Sequence, residues 1–236
     1  MGVDTSVWGE IQGQAITFPM EVPDLDAATL LFTVPADAAQ RLLPGDDFEV
    51  IDLGDGNAQL VIALVDYIDN PWGDYLEINL GFLARPAGAP DDVIGSFIYR
   101  MPVDQEFTCE AGNKVMGFPK TVEDLSRTDS NGVTTFAMKV GDEVELAISF
   151  PTVDGSGEPA PVESISYSYL DGQPFETPLT LGLGTAALDP DQITIELGSG
   201  VVVDELRSLG LPKAPDAAMW GTGLSGTFLE GRPVSR

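Results

Sequence analysis

Apolar and polar positions alternate along much of the chain, in short runs bounded by turn residues. Leu76, Ile78, Leu80 and Phe82 share one face of "DYLEINLGF", and Tyr75, Glu77 and Asn79 share the other, as a period of two residues requires of a strand. "DGNAQLVIALVDYI" starts on an Asp55-Gly56 turn and continues as an unbroken apolar run, the pattern of a strand buried on both faces. "VTTFAMKVGDEVELAISF" reads as a hairpin folded at Gly141-Asp142, and "SISYSYLDGQPF" carries another turn at Asp171-Gly172. Helices are few. "VPADAAQRLLPG" offers Pro35 near a first turn and Pro44-Gly45 as a stop, and "VVDELRSLGLP" ends on Gly210 and Pro212 in the same manner. A third, short helix is expected over "VEDLSR", capped by Thr121. "PTVDGSGEPAPVE" is the best candidate for a long exposed loop.

No internal repeat and no compositional break divides the chain. At 236 residues, 43% of them hydrophobic, it is long enough for one substantial core. The expected fold is α+β and mostly β, a single domain over residues 1–236. Its antiparallel sheets either curl into a barrel or cone around a central cavity or pack as two layers, with a few short helices.

Composition removes several function classes. There is no histidine, which excludes Ser-His-Asp and Cys-His nucleophiles and nearly every ordinary zinc site. One cysteine, Cys109, cannot form an internal disulfide, and this points to a reducing cytoplasm. The start of the chain lacks the basic and apolar regions of a secretory signal. It does match the short Met1-Gly2-x-x-x-Ser6 myristoylation pattern, which carries little weight alone. No apolar run reaches the roughly 18 residues that span a bilayer. The 38 acids against 11 bases, a net charge of −27, argue against nucleic acid and anionic membranes as partners. An acidic, solubilising surface is the simpler reading. Gly182-Leu-Gly184-Thr-Ala-Ala187 fits a relaxed dinucleotide fingerprint, but a strand-like "ITIEL" follows where a helix is needed, so a bend in a sheet is expected. No spacing specifies a metal or cofactor site.

What remains is one lysine. The chain has four, and Lys120 stands directly after Phe118-Pro119, among Val115 and Met116. A lysine attacks a carbonyl only when neutral, and an ordinary one is neutral in about one molecule in 2,500 at pH 7. Burial in apolar surroundings and a nearby positive field can each activate it. The apolar neighbours predict the first, and the N-terminus of the expected Thr121 helix would supply the second. A lysine that snorkels or forms a salt bridge at a strand-to-helix junction is the alternative for the same residues.

Gly112 through Lys120, above all "GFPK", resembles the active-site segment of the acetoacetate decarboxylase superfamily. "LLFTVPADAAQRLLP" resembles that family's early strand and helix, "GDYLEINLGF" its acidic-residue strand, and "VVVDELRSLGLPKAPDAAMWGTGLSGTF" its closing helix and strand. The resemblance implies a lyase, cytoplasmic and homo-oligomeric, that needs no cofactor. Its Schiff base with a keto acid would form at Lys120, with Glu77 as the acidic pocket residue and Met116, Phe118 and Tyr75 beside the substrate. The departures are specific. The family's second lysine is Thr121 here, and its pocket arginine and a further glutamate fall at about Leu25 and Ile62. Arg100, Lys114 and Lys139 are the candidate replacement cations. Decarboxylation of a β-keto acid, an aldol or dehydration reaction of an oxo acid through the same imine, and non-catalytic binding of a small ligand are the three functions compatible with these residues.

Overall fold

A computed structural model describes residues 5–235. The Met1-Gly2 start of the myristoylation pattern lies outside the described residues. β1 (Ser6–Ile11) and β2 (Gln14–Phe18) form a hairpin by themselves. β3 (Met20–Pro35) leads into α1 (Ala36–Leu42), followed by β4 (Phe48–Val50) and β5 (Asn57–Asp69). Then come β6 (Tyr75–Pro86), β7 (Gly95–Val103), α2 (Glu106–Ala111) and a π-helical turn over Gly112–Met116. β8 (Lys120–Val122), β9 (Asp124–Ser130), β10 (Val133–Val140) and β11 (Glu143–Pro151) follow. β12 (Pro161–Leu170), β13 (Gln173–Gly182), β14 (Ala186–Leu188) and β15 (Thr194–Leu197) precede α3 (Val201–Ser208), β16 (Ala217–Phe228) and β17 (Arg232–Pro233).

The strands make a barrel and a separate covering sheet. β16, β3, β5, β6, β7, β12 and β13 lie side by side in that order, and β13 pairs back with β16 through Leu179↔Phe228 and Leu181↔Gly226. That pairing closes the ring. The pairings around it are antiparallel except that of β7 with β12, which is parallel at Ser96↔Ser166. β15, β11, β10 and β9 form a four-stranded sheet over the barrel's outer face. The fold expectation therefore holds in both its forms, a curled sheet around a cavity and a two-layer packing.

Alternation explains why both can exist. On β5, Leu60, Ile62 and Leu64 face outward into a core shared with Phe136, Ile148 and Phe150 of the covering sheet. Val61, Ala63 and Val65 face the barrel interior. A strand buried on both sides needs an unbroken apolar run, and that is what the sequence shows. β6 divides its faces as expected, with Ile78, Leu80 and Phe82 in the outer core and Tyr75, Glu77 and Asn79 on the cavity wall. The turns at Asp55-Gly56 and Asp171-Gly172 have positive φ at both residues, the conformation that a two-residue hairpin demands. The segment around 182–187 is the expected bend between β13 and β14, with β15 following it.

The helix expected from Thr121 is absent. Residues 120–122 are strand β8, which pairs in parallel with β7 through Met101↔Lys120, Pro102↔Thr121 and Val103↔Val122. β12 reaches only the Ser96–Phe97 end of that edge of β7, so its other end is free for β8. β-branched Thr121 and Val122 suit the strand. Long-range pairing overrides the local capping signal.

Arg127, on β9, fastens the covering sheet to the barrel. Its guanidinium meets Asp26 of β3 at 2.7 Å, Asp66 of β5 at 2.9 Å and Asp129 at 3.2 Å, and lies 5.1 Å from the centre of the Trp220 ring. Burial holds the Asp66 carboxyl above the usual carboxylate range, against the opposing pull of Arg127. Arg127→Met should therefore lower unfolding free energy by about 3 kcal/mol, because neighbouring acids lose their counter-ion. The folded state binds the Asp66 proton more tightly than the unfolded chain, so this site's contribution falls as pH rises through the raised folded value. The loss in the variant should accordingly be smaller at mildly acid pH than at neutral pH. Urea denaturation at both pH values measures this, and an unchanged midpoint would remove Arg127 from the account.

Candidate functional site

The barrel interior is only partly filled. A cavity of about 190 Å³ remains, walled by the inward residues of the barrel strands and by the segment that leads into β8. Its closed end holds Lys120 and Glu77, whose side chains are 3% and 5% exposed. Tyr67, Tyr75, Trp72 and Phe118 surround them. Farther along the axis the wall is Val61, Ala63, Ile98 and Leu181, with Thr29 and Asn79 directly beside Ala63 in the strand register, and the outer end carries Ser96 and Ser164. Ser164 and Leu183 are exposed, which marks that end as the mouth.

Lys120 reaches this position through a run of local constraints. Gln105 caps α2 by accepting a hydrogen bond from the Thr108 backbone N–H. The chain then widens into the π-helical turn and stops at Gly117, whose φ of +66° lies in the left-handed region that favours glycine. A β-carbon on Gly117 would also lie 2.4 Å from the Tyr169 carbonyl oxygen. Asn113 donates from Nδ2 to the carbonyls of Cys109, at 2.8 Å, and Lys120, at 3.0 Å, tying the end of α2 to the start of β8. Gly112 has ordinary helical angles, φ −59° and ψ −42°, so its backbone does not require glycine. Space does: a β-carbon there would sit 2.7 Å from Lys120 Cδ and 2.8 Å from Cε. The lysine stem lies in the gap that this missing methyl leaves.

At the tip, Nζ of Lys120 donates to Glu77 Oε2 at 2.9 Å, to Thr108 Oγ1 at 3.0 Å and to the Tyr75 hydroxyl at 3.4 Å. It also lies 4.8 Å from the centre of the Tyr75 ring. Tyr67 and Tyr75 stack at 4.3 Å, a consequence of their facing positions on β5 and β6. Burial pushes both phenols well above their ordinary range, and the Glu77 carboxylate pushes them further. They remain protonated donors at neutral pH. Burial likewise raises the Cys109 thiol, which donates weakly to the Lys120 carbonyl.

The sequence-derived candidates divide as follows. Lys120, Glu77, Tyr75, Met116 and Phe118 line one cavity. Ile62 does not: it is fully buried in the outer core, because a single step along β5 turns its side chain away from the wall that Val61 and Ala63 form. Leu25 is packed within the barrel's apolar interior, opposite Tyr67 on β5, but is off the cavity wall. None of the three replacement cations reaches the site. Arg100 forks onto Glu205 at 2.6 and 3.0 Å, Lys114 pairs with Glu110, and Lys139 lies on β10 in the covering sheet. The positive helix terminus expected beside Lys120 is replaced by a carboxylate. Burial is present; the positive field is not.

Thr108, Tyr67 and Gly112 were not legible in the sequence as site residues. Thr108 needed the capped helix after Gln105 to be recognised, and Tyr67 needed the register of β5 against β6. Among the described residues, no group of three or more His, Cys, Asp or Glu is placed to hold a metal ion. No helix is long and apolar enough to cross a membrane.

Comparison with known proteins agrees with this fold. No curated sequence matches the chain significantly. Among solved structures, the acetoacetate decarboxylase of Legionella pneumophila superposes with a TM-score of 0.66 at 16% identity, over 92% of this chain and 87% of that one. An acetoacetate decarboxylase-like enzyme from Sphingomonas wittichii RW1 gives 0.62 at 15% identity, over 98% and 99%. The enduracididine biosynthesis enzyme MppR, complexed with the condensation product of pyruvate and imidazole 4-carboxaldehyde, gives 0.56 at 17% identity, over 92% and 89%. At such identities these likenesses establish the fold. The acetoacetate decarboxylase family model matches residues 10–150, more than half of the length, and the chain belongs to that family.

Proposed function

We propose that the protein is an enzyme that forms a Schiff base between Lys120 and a small carbonyl compound, and makes or breaks a carbon–carbon bond beside that carbonyl. One observation carries the reading: the amine at the closed end of the cavity is held by Glu77 and Thr108 and shielded from bulk water. Family membership supports an enzymatic function of this general kind.

The steps follow from the groups present. Glu77 takes a proton from the ammonium, and the freed lone pair attacks the carbonyl carbon. The carbinolamine loses water, its oxygen leaving with a proton returned by Glu77, to give an iminium. The Glu77 carboxylate can then remove a proton from the adjacent carbon. The C–H electrons become a C=C bond and the C=N electrons return to nitrogen, leaving an enamine. Attack of the enamine on an aldehyde forms the new bond, and the alkoxide takes the proton that Glu77 holds. Water releases the product and restores the amine. Thr108 and Tyr75 keep Nζ oriented throughout.

Loss of CO₂ from a β-keto acid through the same iminium is the second reading, supported by the family to which the chain belongs. The aldol-type reading is favoured by the placement of Glu77 as a base within 2.9 Å of the reacting nitrogen. That MppR, of the same fold, is complexed with a condensation product of pyruvate and an aldehyde is in keeping with it.

Three tests follow. Borohydride reduction in the presence of acetone, pyruvate or acetoacetate should place the added mass on the peptide containing Lys120. A label spread over Lys114, Lys139 and Lys213, with turnover intact in Lys120→Ala, would end the proposal. Glu77→Gln should form the reducible adduct more slowly than the wild type and slow turnover by about 10²-fold or more, the usual weight of a general base. Gly112→Ala should leave the circular dichroism spectrum unchanged, since its backbone angles suit alanine. Its β-carbon would displace the lysine stem, lowering kcat by about 10- to 100-fold with little change in KM. Wild-type kcat in Gly112→Ala would show that the stem has room to spare.

A further inference from the structure

Charge inside the cavity is balanced with nothing left over. Among the described residues, Lys120 and Glu77 are the only charged side chains on its wall, they are 2.9 Å apart, and both are almost completely buried. No arginine and no second lysine lines it among the described residues. The polar groups beyond the pair and its tyrosines, Thr29, Asn79, Ser96, Ser164 and Ser166, are all neutral. A carboxylate brought into this space would be its one unpaired charge, taken from water into apolar surroundings without a counter-ion. It would also approach a molecule of net charge −27, whose field disfavours anions near the surface.

From this balance we infer that the cavity selects an uncharged ketone or dicarbonyl compound rather than an anionic keto acid, with its reacting carbonyl at Lys120 and its neutral polar tail among the hydroxyls and amide farther along the wall. The inference rests on the Schiff-base reading of Lys120 and specifies its substrate class. The covalent steps do not disturb the balance. Converting the ammonium to an iminium moves the positive charge by one bond and leaves it beside Glu77. A neutral substrate therefore passes from entry to release with the site at zero net charge. A keto acid would hold it at minus one, and loss of neutral CO₂ would leave that charge behind on Glu77 beside the enamine until a proton was taken up from water. These five neutral groups can donate to or accept from a carbonyl, hydroxyl or amide, and none of them can neutralise an anion.

The test compares isosteres that differ in charge alone. Acetoacetamide and acetoacetate, and pyruvamide and pyruvate, are each incubated with the wild-type protein and reduced with borohydride. The adduct on the Lys120 peptide is quantified by mass spectrometry and normalised to the same reaction with free Nα-acetyllysine. The amides should be trapped at least tenfold more readily than the acids. Glu77→Gln, which leaves the Lys120 cation without its anion, should abolish or reverse that preference. Asn79→Lys, which adds a cation to the same wall while keeping the Glu77 pair, should shift it toward the acids. Equal trapping of the two classes, or preference for the acids in the wild type, would overturn the inference while leaving the Schiff-base reading intact. Absence of any adduct at Lys120 with all four compounds would overturn both.

Discussion

A buried lysine facing a buried glutamate sets the terms for the rest of this molecule. Taking both charges out of water costs several kcal/mol for each ion, and their attraction offsets this only where geometry and further hydrogen bonds are good. The barrel supplies both. Closing β13 onto β16 encloses the pair, and Thr108, Tyr67 and Tyr75 bring neutral polar groups to bear on it. The lysine comes from a strand of three residues that has little stability of its own. β8 exists because the edge of β7 beyond β12 is open to it. Placement of the amine is thus a consequence of sheet topology before it is a property of the segment around it.

An interior that keeps a cavity and a charged pair contributes less packing than a filled one. The outer core makes up the difference. Phe32, Leu60, Phe82, Phe136, Ile148 and Phe150 are fully or almost fully buried between barrel and covering sheet. The barrel wall is held from outside, so its inner face can be shaped for a ligand. Arg127 reaches from the covering sheet to the acids on β3 and β5 and fixes how the two layers meet. Stability and chemistry occupy opposite faces of the same strands, one residue apart.

That one-residue spacing decides what could be read in advance. The two faces of β6 were legible because Tyr75, Glu77 and Asn79 interrupt a run of leucine, isoleucine and phenylalanine. On β5 both faces are apolar, so nothing local said that Val61 and Ala63 would look inward and Ile62 outward. The hairpin turns were legible from Asp-Gly pairs, since a positive φ at successive residues leaves few other choices. The helix expected after Thr121 failed for the opposite reason. A capping signal worth about 1 kcal/mol competes there with a long-range parallel pairing that no window of sequence contains. The membership of Lys120 and Glu77 in one site was legible only through the resemblance, because 43 positions separate them and only the barrel brings them together.

The absence of histidine gives the proton inventory of the site an unusual simplicity. Tyr67 and Tyr75 are kept protonated by burial and by the Glu77 charge, and burial keeps Cys109 a thiol. The Thr108 hydroxyl does not titrate in this range. Of the groups that touch the closed end, only Lys120 and Glu77 can exchange a proton without leaving a phenolate or thiolate in an apolar enclosure. In the proposed mechanism one proton, shared between two groups 2.9 Å apart, serves both the unmasking of the amine and the transfers at carbon. The proposed nucleophile and base would then be a single coupled unit, and neither could be altered without changing what the other does.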